Sequence, residues 1–128
     1  MSTNSYGTGD YYDAEIGHVM PVLIRRFHEV KEAGLEKVTC WVTGSPMREF
    51  LHRNYLGHAC VFAMEKWNAL SIDAPTDNQG NPLSVLYVGA GVDLTIKDPA
   101  QQVAAVVGFE GLIEWDKTKP NGTPKKQI

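Results

Sequence analysis

Long hydrophobic runs and cysteine are both scarce in this sequence of 128 residues. No apolar stretch approaches the roughly 20 residues of a membrane-spanning helix. The start, Met-Ser-Thr-Asn-Ser-Tyr-Gly, has neither the basic nor the apolar region of a signal peptide. The two cysteines, Cys40 and Cys60, lie in apolar runs without a repeated spacing. The sequence therefore predicts buried free thiols in a cytoplasmic protein.

An excess of positive charge is also lacking. There are 12 lysines and arginines against 15 aspartates and glutamates, for a formal net charge of -3. This balance argues against whole-surface attraction to nucleic acid or membrane, and we expect neither as a partner. Basic residues still cluster locally, at Arg25 and Arg26 and in a basic tail over 117–128. Each cluster is either solvated surface or part of a phosphate site.

Familiar catalytic motifs are missing as well. The dinucleotide pattern G-x-G-x-x-G fails after Gly7-Thr8-Gly9 and after Gly89-Ala90-Gly91, because Tyr12 and Leu94 stand where the third glycine belongs. No tyrosine has a lysine four residues on, and no G-x-S-x-G is present. The four histidines have no metal-like spacing with the cysteines. The sequence predicts no metal site.

Hydrophobic periodicity predicts alternating helices and strands after an initial loop over 1–15. A helix begins near Gly17 or His18, holds Pro21 in its first turn and ends at Gly34. Residues 37–42 form a short strand, and a turn at 44–46 leads to a second extended piece over 48–52.

The second half of the chain continues this alternation. Asn54 is the expected N-cap of a helix whose apolar stripe consists of Leu56, Cys60, Met64 and Trp67. Residues 71–82 read as a polar loop, 84–91 as a strand buried on both faces, and 112–116 as a last strand. A third helix runs through Val107, capped either by a Thr95–Asp98 box or by Asp98 with Pro99 at the first helical position.

This order of elements predicts the α/β class. There are too few strands for a closed sheet, however, and the strand at 84–89 needs neighbours on both sides. We interpret residues 1–128 as a single truncated region rather than a complete domain.

Several binding groups remain once the absent motifs are set aside. His18 opens an amphipathic helix, and helix starts attract anions. Arg48 follows a tight turn and offers a planar fork for phosphate, while Trp41 offers a flat face for a base or sugar. These residues predict a site for a phosphorylated ring compound. The alternative is that Trp41 is core, Arg48 a surface ion-pair partner and His18 an ordinary cap residue.

Three motifs carry a resemblance to a known family: H-V-x-P-x-L-x-R-R-F-H, W-x-x-G-x-P-M-R-E-F-L-H and K-P-x-G-T-P-x-K. With "STNSYGTGDYYD" and "YVGAGVDLTIKDPAQQVAAVVGFEG" they resemble the GDP-L-fucose synthase family over nearly the whole chain. That family consists of extended short-chain dehydrogenases that epimerise GDP-4-keto-6-deoxymannose at C3 and C5 and reduce C4 with NADPH.

The resemblance implies a role for each matching position. His18 would be the acid/base of the epimerisations, and Thr3 and Asn4 would border the nicotinamide and the sugar. The GDP moiety and its phosphates would be held by Arg26, Trp41, Arg48 and Lys126. After "FLH" the family shows Val-Asp-Asp-Leu where this chain has Arg-Asn-Tyr-Leu. Asn54 can still cap the helix, but Tyr55 supplies no carboxylate.

The resemblance also implies an incomplete fold. It matches the substrate-binding domain and late Rossmann elements, and the N-terminal dinucleotide-binding strands have no counterpart. We expect this chain to bind a GDP-sugar, but not to bind NADP or perform the reduction alone. The alternative function is an interaction module whose uncovered apolar surfaces form a homo-oligomer or dock on a chain supplying the missing N-terminal half.

Overall fold

The computed structural model describes residues 4–41, 43–118 and 124. The eight elements, in chain order, are β1 (Asn4–Tyr6), α1 (Val19–Glu32), β2 (Lys37–Trp41), β3 (Met47–His52), α2 (Arg53–Lys66), β4 (Asp93–Thr95), α3 (Lys97–Val107) and β5 (Leu112–Asp116). The α/β class predicted from the sequence is confirmed, and β1 is a short strand within the segment predicted to be a loop.

The strands form two small sheets. In one, β2 and β5 are parallel, with Cys40 opposite Trp115 and Trp41 opposite Asp116. In the other, β3 lies between β1, which is parallel to it, and β4, which is antiparallel. Helices α1 and α3 pack against each other beside the β2–β5 pair. The buried core at this junction consists of Leu23, Phe27, Val38, Cys40, Ala100, Val103, Ala104 and Phe109.

The first helix follows its sequence pattern closely. Pro21 is its third residue, where a missing N–H costs nothing, and Leu23 and Phe27 lie four residues apart on the buried face. His18 is the N-cap residue, and Gly34 follows the helix with a φ of 65°, a left-handed conformation that glycine adopts without strain. The predicted bounds of this helix are confirmed.

Helix α2 differs from its prediction at both its start and its surface. Its N-cap is His52, not Asn54: the His52 Nδ1 atom accepts the Asn54 backbone N–H at 3.3 Å. His52 ends β3 in an extended conformation, and that conformation lets a side-chain acceptor reach the first free N–H groups. No residue of α2 is buried, so its predicted apolar stripe is only partly covered: Leu56 and Trp67 are half-buried, while Cys60 and Met64 are exposed.

The strand predicted over 84–91 is wrong. These residues form no strand in either sheet that the structure describes, although Val88 takes part in a single β-bridge, and most of their side chains are exposed. A strand buried on both faces needs partner strands for its N–H and C=O groups, and a continuous apolar run cannot supply them itself. Residues 71–82 contain turns and one isolated pair, Thr76 with Pro82, in place of a regular element.

The start of α3 is fastened to the turn at 44–46. The Ile96 N–H donates to the Pro46 carbonyl at 3.1 Å, and the Lys97 N–H donates to the Gly44 carbonyl at 3.0 Å. The N-cap is Ile96 and has no side-chain cap, so neither predicted cap, Thr95 or Asp98, is correct. The Asp98 carboxylate instead accepts both the backbone N–H and the hydroxyl of Thr95, and Pro99 is the third helical residue rather than the first. The two bonds to the turn set the position of the chain leading into Arg48.

Candidate functional site

A half-open cavity of about 190 Å³ lies at the carboxyl ends of β2 and β5. Its lining includes Arg26 from α1, Trp41 from the end of β2, Arg48 from β3 and Trp115 from β5. The carboxyl ends of parallel strands are where open α/β sheets ordinarily bind ligands. Three of the side chains predicted to hold a phosphorylated ring compound therefore share one cavity.

Arg26 and Trp41 are in direct contact. The Arg26 Cζ atom lies 4.4 Å from the centroid of the Trp41 ring, within the range of a cation–π contact. Two guanidinium nitrogens also donate to backbone carbonyls, Nη1 to Thr39 at 2.8 Å and Nη2 to Ala14 at 3.2 Å. Arg26 thus holds the plane of the indole and ties the loop before α1 to β2.

Arg48 enters the cavity from the turn at 44–46. Its Nη1 donates to the Met47 carbonyl at 2.7 Å, and the guanidinium is half-buried. Met47 in turn donates its backbone N–H to the Pro124 carbonyl at 2.9 Å. The predicted residue Lys126 lies outside the described residues, so its part in this site stays a prediction.

His18 is at the rim of the cavity. Its side chain is exposed and makes no capping hydrogen bond, while its neighbours Gly17 and Val19 line the cavity. The loop before it is fixed by Asp13, whose Oδ1 accepts the N–H groups of Glu15 and Ile16. These bonds lower the pKa of the Asp13 carboxyl below its ordinary value. These bonds fix the backbone that leads into His18 at the start of α1.

The predicted cofactor-contacting residues are only partly described. The Asn4 Nδ2 donates to the Glu49 carbonyl at 3.0 Å, a bond that fastens β1 to β3. Thr3 lies outside the described residues. The cofactor role of both residues stays a prediction.

Trp115 and Cys40 also line the cavity, but the sequence did not predict either of them as a site residue. Trp115 was assigned only to a strand, and Cys40 only to a buried free thiol. The signal that could have found Trp115 is the pairing of two parallel strands, one ending in Trp41 and the other carrying Trp115 one residue before its end, but register is not visible in a single sequence.

The Cys40 thiol has an unusual environment. It is 1% exposed, and burial raises its pKa from 9.0 to about 11, against the opposing effect of the nearby Arg26 charge. Cys60 is exposed on α2, so the expectation of two buried thiols is wrong for Cys60. The apolar run around Cys60 predicted burial, but it lies on α2, a helix with no buried residues.

We expect only Cys60 to react quickly with a thiol reagent at pH 8.

The raised pKa of Cys40 also links stability to pH. Below the unfolded-state pKa the thiol is neutral in both states; between pH 9 and about 11 only the unfolded chain loses the proton, so the free energy of unfolding falls. Denaturant unfolding measured across this pH window should show that the free energy of unfolding falls less with pH in Cys40→Ala than in the unmodified chain. Equal slopes for the two proteins would contradict the raised pKa.

A profile of the NAD-dependent epimerase/dehydratase family matches residues 1–73, more than half of the chain. The chain belongs to this family. GDP-L-fucose synthase 1 of Arabidopsis thaliana is 45% identical over 126 residues, which are 98% of this chain and 35% of that protein. GDP-L-fucose synthase of Escherichia coli is 42% identical over 128 residues, 39% of that protein. The chain thus spans little more than a third of the curated relatives it matches.

The fold comparison agrees with this family. A crystal structure of a GDP-L-fucose synthetase from Naegleria fowleri bound to NADP superposes with a TM-score of 0.79 and 23% identity, covering 98% of this chain and 36% of that one. At this identity the superposition shows the fold. It confirms the prediction that this epimerase-family chain corresponds to a portion of the extended short-chain dehydrogenase fold.

The two glycine pairs among the described residues do not fit the phosphates of NADP. The side chain of Arg53 packs against Gly7 and donates to the Thr8 carbonyl, filling the first glycine pair. At the second glycine pair, the Glu49 carboxylate lies against Gly89 and accepts the Gly91 N–H. A buried carboxylate at a glycine turn repels a pyrophosphate rather than binding it. Neither glycine pair is therefore a phosphate cradle.

The described residues, 4–41, 43–118 and 124, lack two further features. They contain no group of three or more histidine, cysteine, aspartate or glutamate side chains placed to hold a metal ion. No helix among them has the length and apolar content needed to cross a membrane.

Proposed function

We propose that this chain binds a GDP-sugar of the GDP-4-keto-6-deoxymannose or GDP-fucose type in the cavity at the ends of β2 and β5. The observation that carries the proposal is the convergence of Arg26, Trp41 and Arg48 on that cavity. The relatives named as GDP-L-fucose synthases support the choice of a guanine nucleotide. The two free thiols agree with a reducing, cytoplasmic setting.

Each part of such a ligand has a chemical counterpart in the site. The Arg48 guanidinium is a planar donor fork suited to a diphosphate, and the start of α1 adds a partial positive charge. The Trp41 indole offers a flat surface, and Arg26 holds it in place. A cavity of about 190 Å³ is smaller than the range of roughly 300–1,000 Å³ usual for whole ligands, so we infer that it holds one ring while the rest lies along its open mouth.

Catalysis is a separate matter from binding. His18 stands at the rim of the cavity, and histidine is the side chain most often used for proton transfer near neutral pH, so it stays our candidate acid/base for epimerisation. We propose no reduction step, because neither glycine pair forms a cradle for the phosphates of the cofactor. Binding is therefore the function that this chain supports best by itself.

Isothermal calorimetry with GDP, guanosine and inorganic pyrophosphate tests the proposal on the unmodified chain. We expect GDP to bind more tightly than either part alone. Guanosine can use only the ring surface and pyrophosphate only the guanidinium fork, whereas GDP uses both at once. Absence of heat with GDP at millimolar concentration would refute binding. Equal affinity for GDP and pyrophosphate would refute the ring contact.

A second function is favoured by the uncovered surface around α2. Its groove, of about 480 Å³, is lined by Leu56, Cys60, Phe62, Leu86 and Tyr87, and Phe62 and Tyr87 are 65% and 63% exposed. Contiguous exposed apolar patches on this scale mark interaction sites. We propose that the α2 surface docks a second copy of this chain or a chain supplying a dinucleotide-binding half.

Light scattering across a range of protein concentrations tests this second proposal. We expect the mass of the unmodified chain to rise with concentration and Phe62→Asp to remain a monomer, because a carboxylate cannot be buried unpaired in an apolar contact. Val106→Asp is the matched control, since Val106 is 88% exposed on α3. A monomer at every concentration would contradict self-association and leave a different chain as the partner.

A further inference from the structure

Trp115 lies at the carboxyl end of β5 and lines the same cavity as Trp41 and Arg48. It is half-buried, with part of its ring packed against the core. It stands opposite Cys40 in the register of β2 and β5, so the two side chains point to the same face of the sheet pair. The cavity therefore has an indole on each of its two strands.

The position of the Trp115 ring is set by Gly44. This glycine has a φ of 72°, and a Cβ atom added to it would lie 2.9 Å from the Trp115 Cη2 and 3.0 Å from Cζ2. The turn itself cannot move freely, because its Gly44 carbonyl accepts the N–H of Lys97 at the start of α3. One edge of the indole thus rests on a fixed stretch of backbone.

The same turn also precedes Arg48, whose guanidinium is a charged group of the site. Arg48 follows Gly44 by four residues, and both its guanidinium and the Trp115 ring line the cavity. An aromatic surface placed beside a guanidinium suits a ring that carries phosphates.

We propose that Trp115 is a second aromatic contact for the ring of a bound nucleoside diphosphate, and that Gly44 is the positioning residue for Trp115. This inference rests on the proposed function, since it places one more residue in the same site. The ring lies on Trp115 while the phosphates reach Arg48.

Fluorine NMR of the chain labelled with 5-fluorotryptophan tests the contact directly. The three tryptophans give three resonances, assigned with the Phe replacements of Trp41, Trp67 and Trp115 one at a time. We expect GDP to shift the Trp41 and Trp115 resonances and to leave Trp67 unmoved, because Trp67 caps the end of α2 and does not line the cavity. Calorimetry should show roughly tenfold weaker binding for Trp115→Ala and little change for Trp115→Phe.

The outcomes separate this inference from the proposed function. If GDP binds and shifts only the Trp41 resonance, the contact with Trp115 is refuted while the proposed function stands. If no heat and no shift appear, the proposed function fails and this inference fails with it.

A pair of glycine variants tests the positioning role. Gly44→Ala and Gly34→Ala introduce the same kind of backbone strain, at φ values of 72° and 65°, but nothing lies within 4 Å of the Gly34 position. We expect Gly44→Ala alone to move the Trp115 resonance in the free protein and to weaken GDP binding several-fold. Equal effects of the two variants on affinity would overturn the positioning role.

Discussion

Phe27→Ala should lower the free energy of unfolding by about 3–5 kcal/mol, the range for emptying the space of a buried aromatic ring. Phe27 is 0% exposed and meets Phe109 edge to face, with ring centroids 5.5 Å apart. It joins α1 to the segment after α3, so the loss falls on the contact that holds the core together. Domains of this size are stable by only about 5–15 kcal/mol, so the variant should unfold at much lower denaturant concentration.

The measurement is denaturant unfolding followed by circular dichroism, with Val106→Ala as the control. Val106 is 88% exposed on α3, and its truncation should cost less than about 0.5 kcal/mol. If Phe27→Ala is no more harmful than Val106→Ala, the packing of α1 on α3 is not the core of this protein.

Arg48→Ala should weaken GDP binding roughly 10- to 100-fold, because a hydrogen bond to a charged group contributes more than a neutral one. The guanidinium is half-buried in the cavity and makes one bond to the Met47 carbonyl, which leaves donors for a diphosphate. Arg48→Lys should give an intermediate loss, since it keeps the charge and loses the planar fork. The affinity of the unmodified chain should also fall with added salt more steeply than that of Arg48→Ala.

Calorimetry with GDP measures this effect, and Arg53→Ala is its charge-matched control. Arg53 packs against Gly7 and does not line the cavity, so its removal subtracts the same unit of charge elsewhere. We expect Arg53→Ala to bind GDP as the unmodified chain does. Similar losses in Arg48→Ala and Arg53→Ala would show that net charge, and not the site, governs binding.

Elements fixed by local constraints lie where the sequence predicts them, and elements that depend on distant partners do not. α1 and β5 lie where their patterns place them, because Pro21, the spacing of Leu23 and Phe27 and the glycine at 34 are local constraints on the chain. The strand at 84–91 and the N-cap of α2 were wrong for the opposite reason. A strand at 84–91 would need partner strands, and the N-cap of α2 depends on how β3 ends. The local sequence pattern contains neither kind of information.

The candidate site was likewise only partly predictable from the sequence. The amino-acid sequence by itself determined which groups could hold a phosphorylated ring, since a guanidinium after a tight turn and an indole at the end of a strand are fixed by residue type and spacing. Only the tertiary structure decided that Arg26, Trp41 and Arg48 share a cavity, that Trp115 joins them, and that glycine turns elsewhere are filled by Arg53 and Glu49. The physical reason is that register and packing bring together residues far apart in the chain, and no short-range pattern encodes those distances.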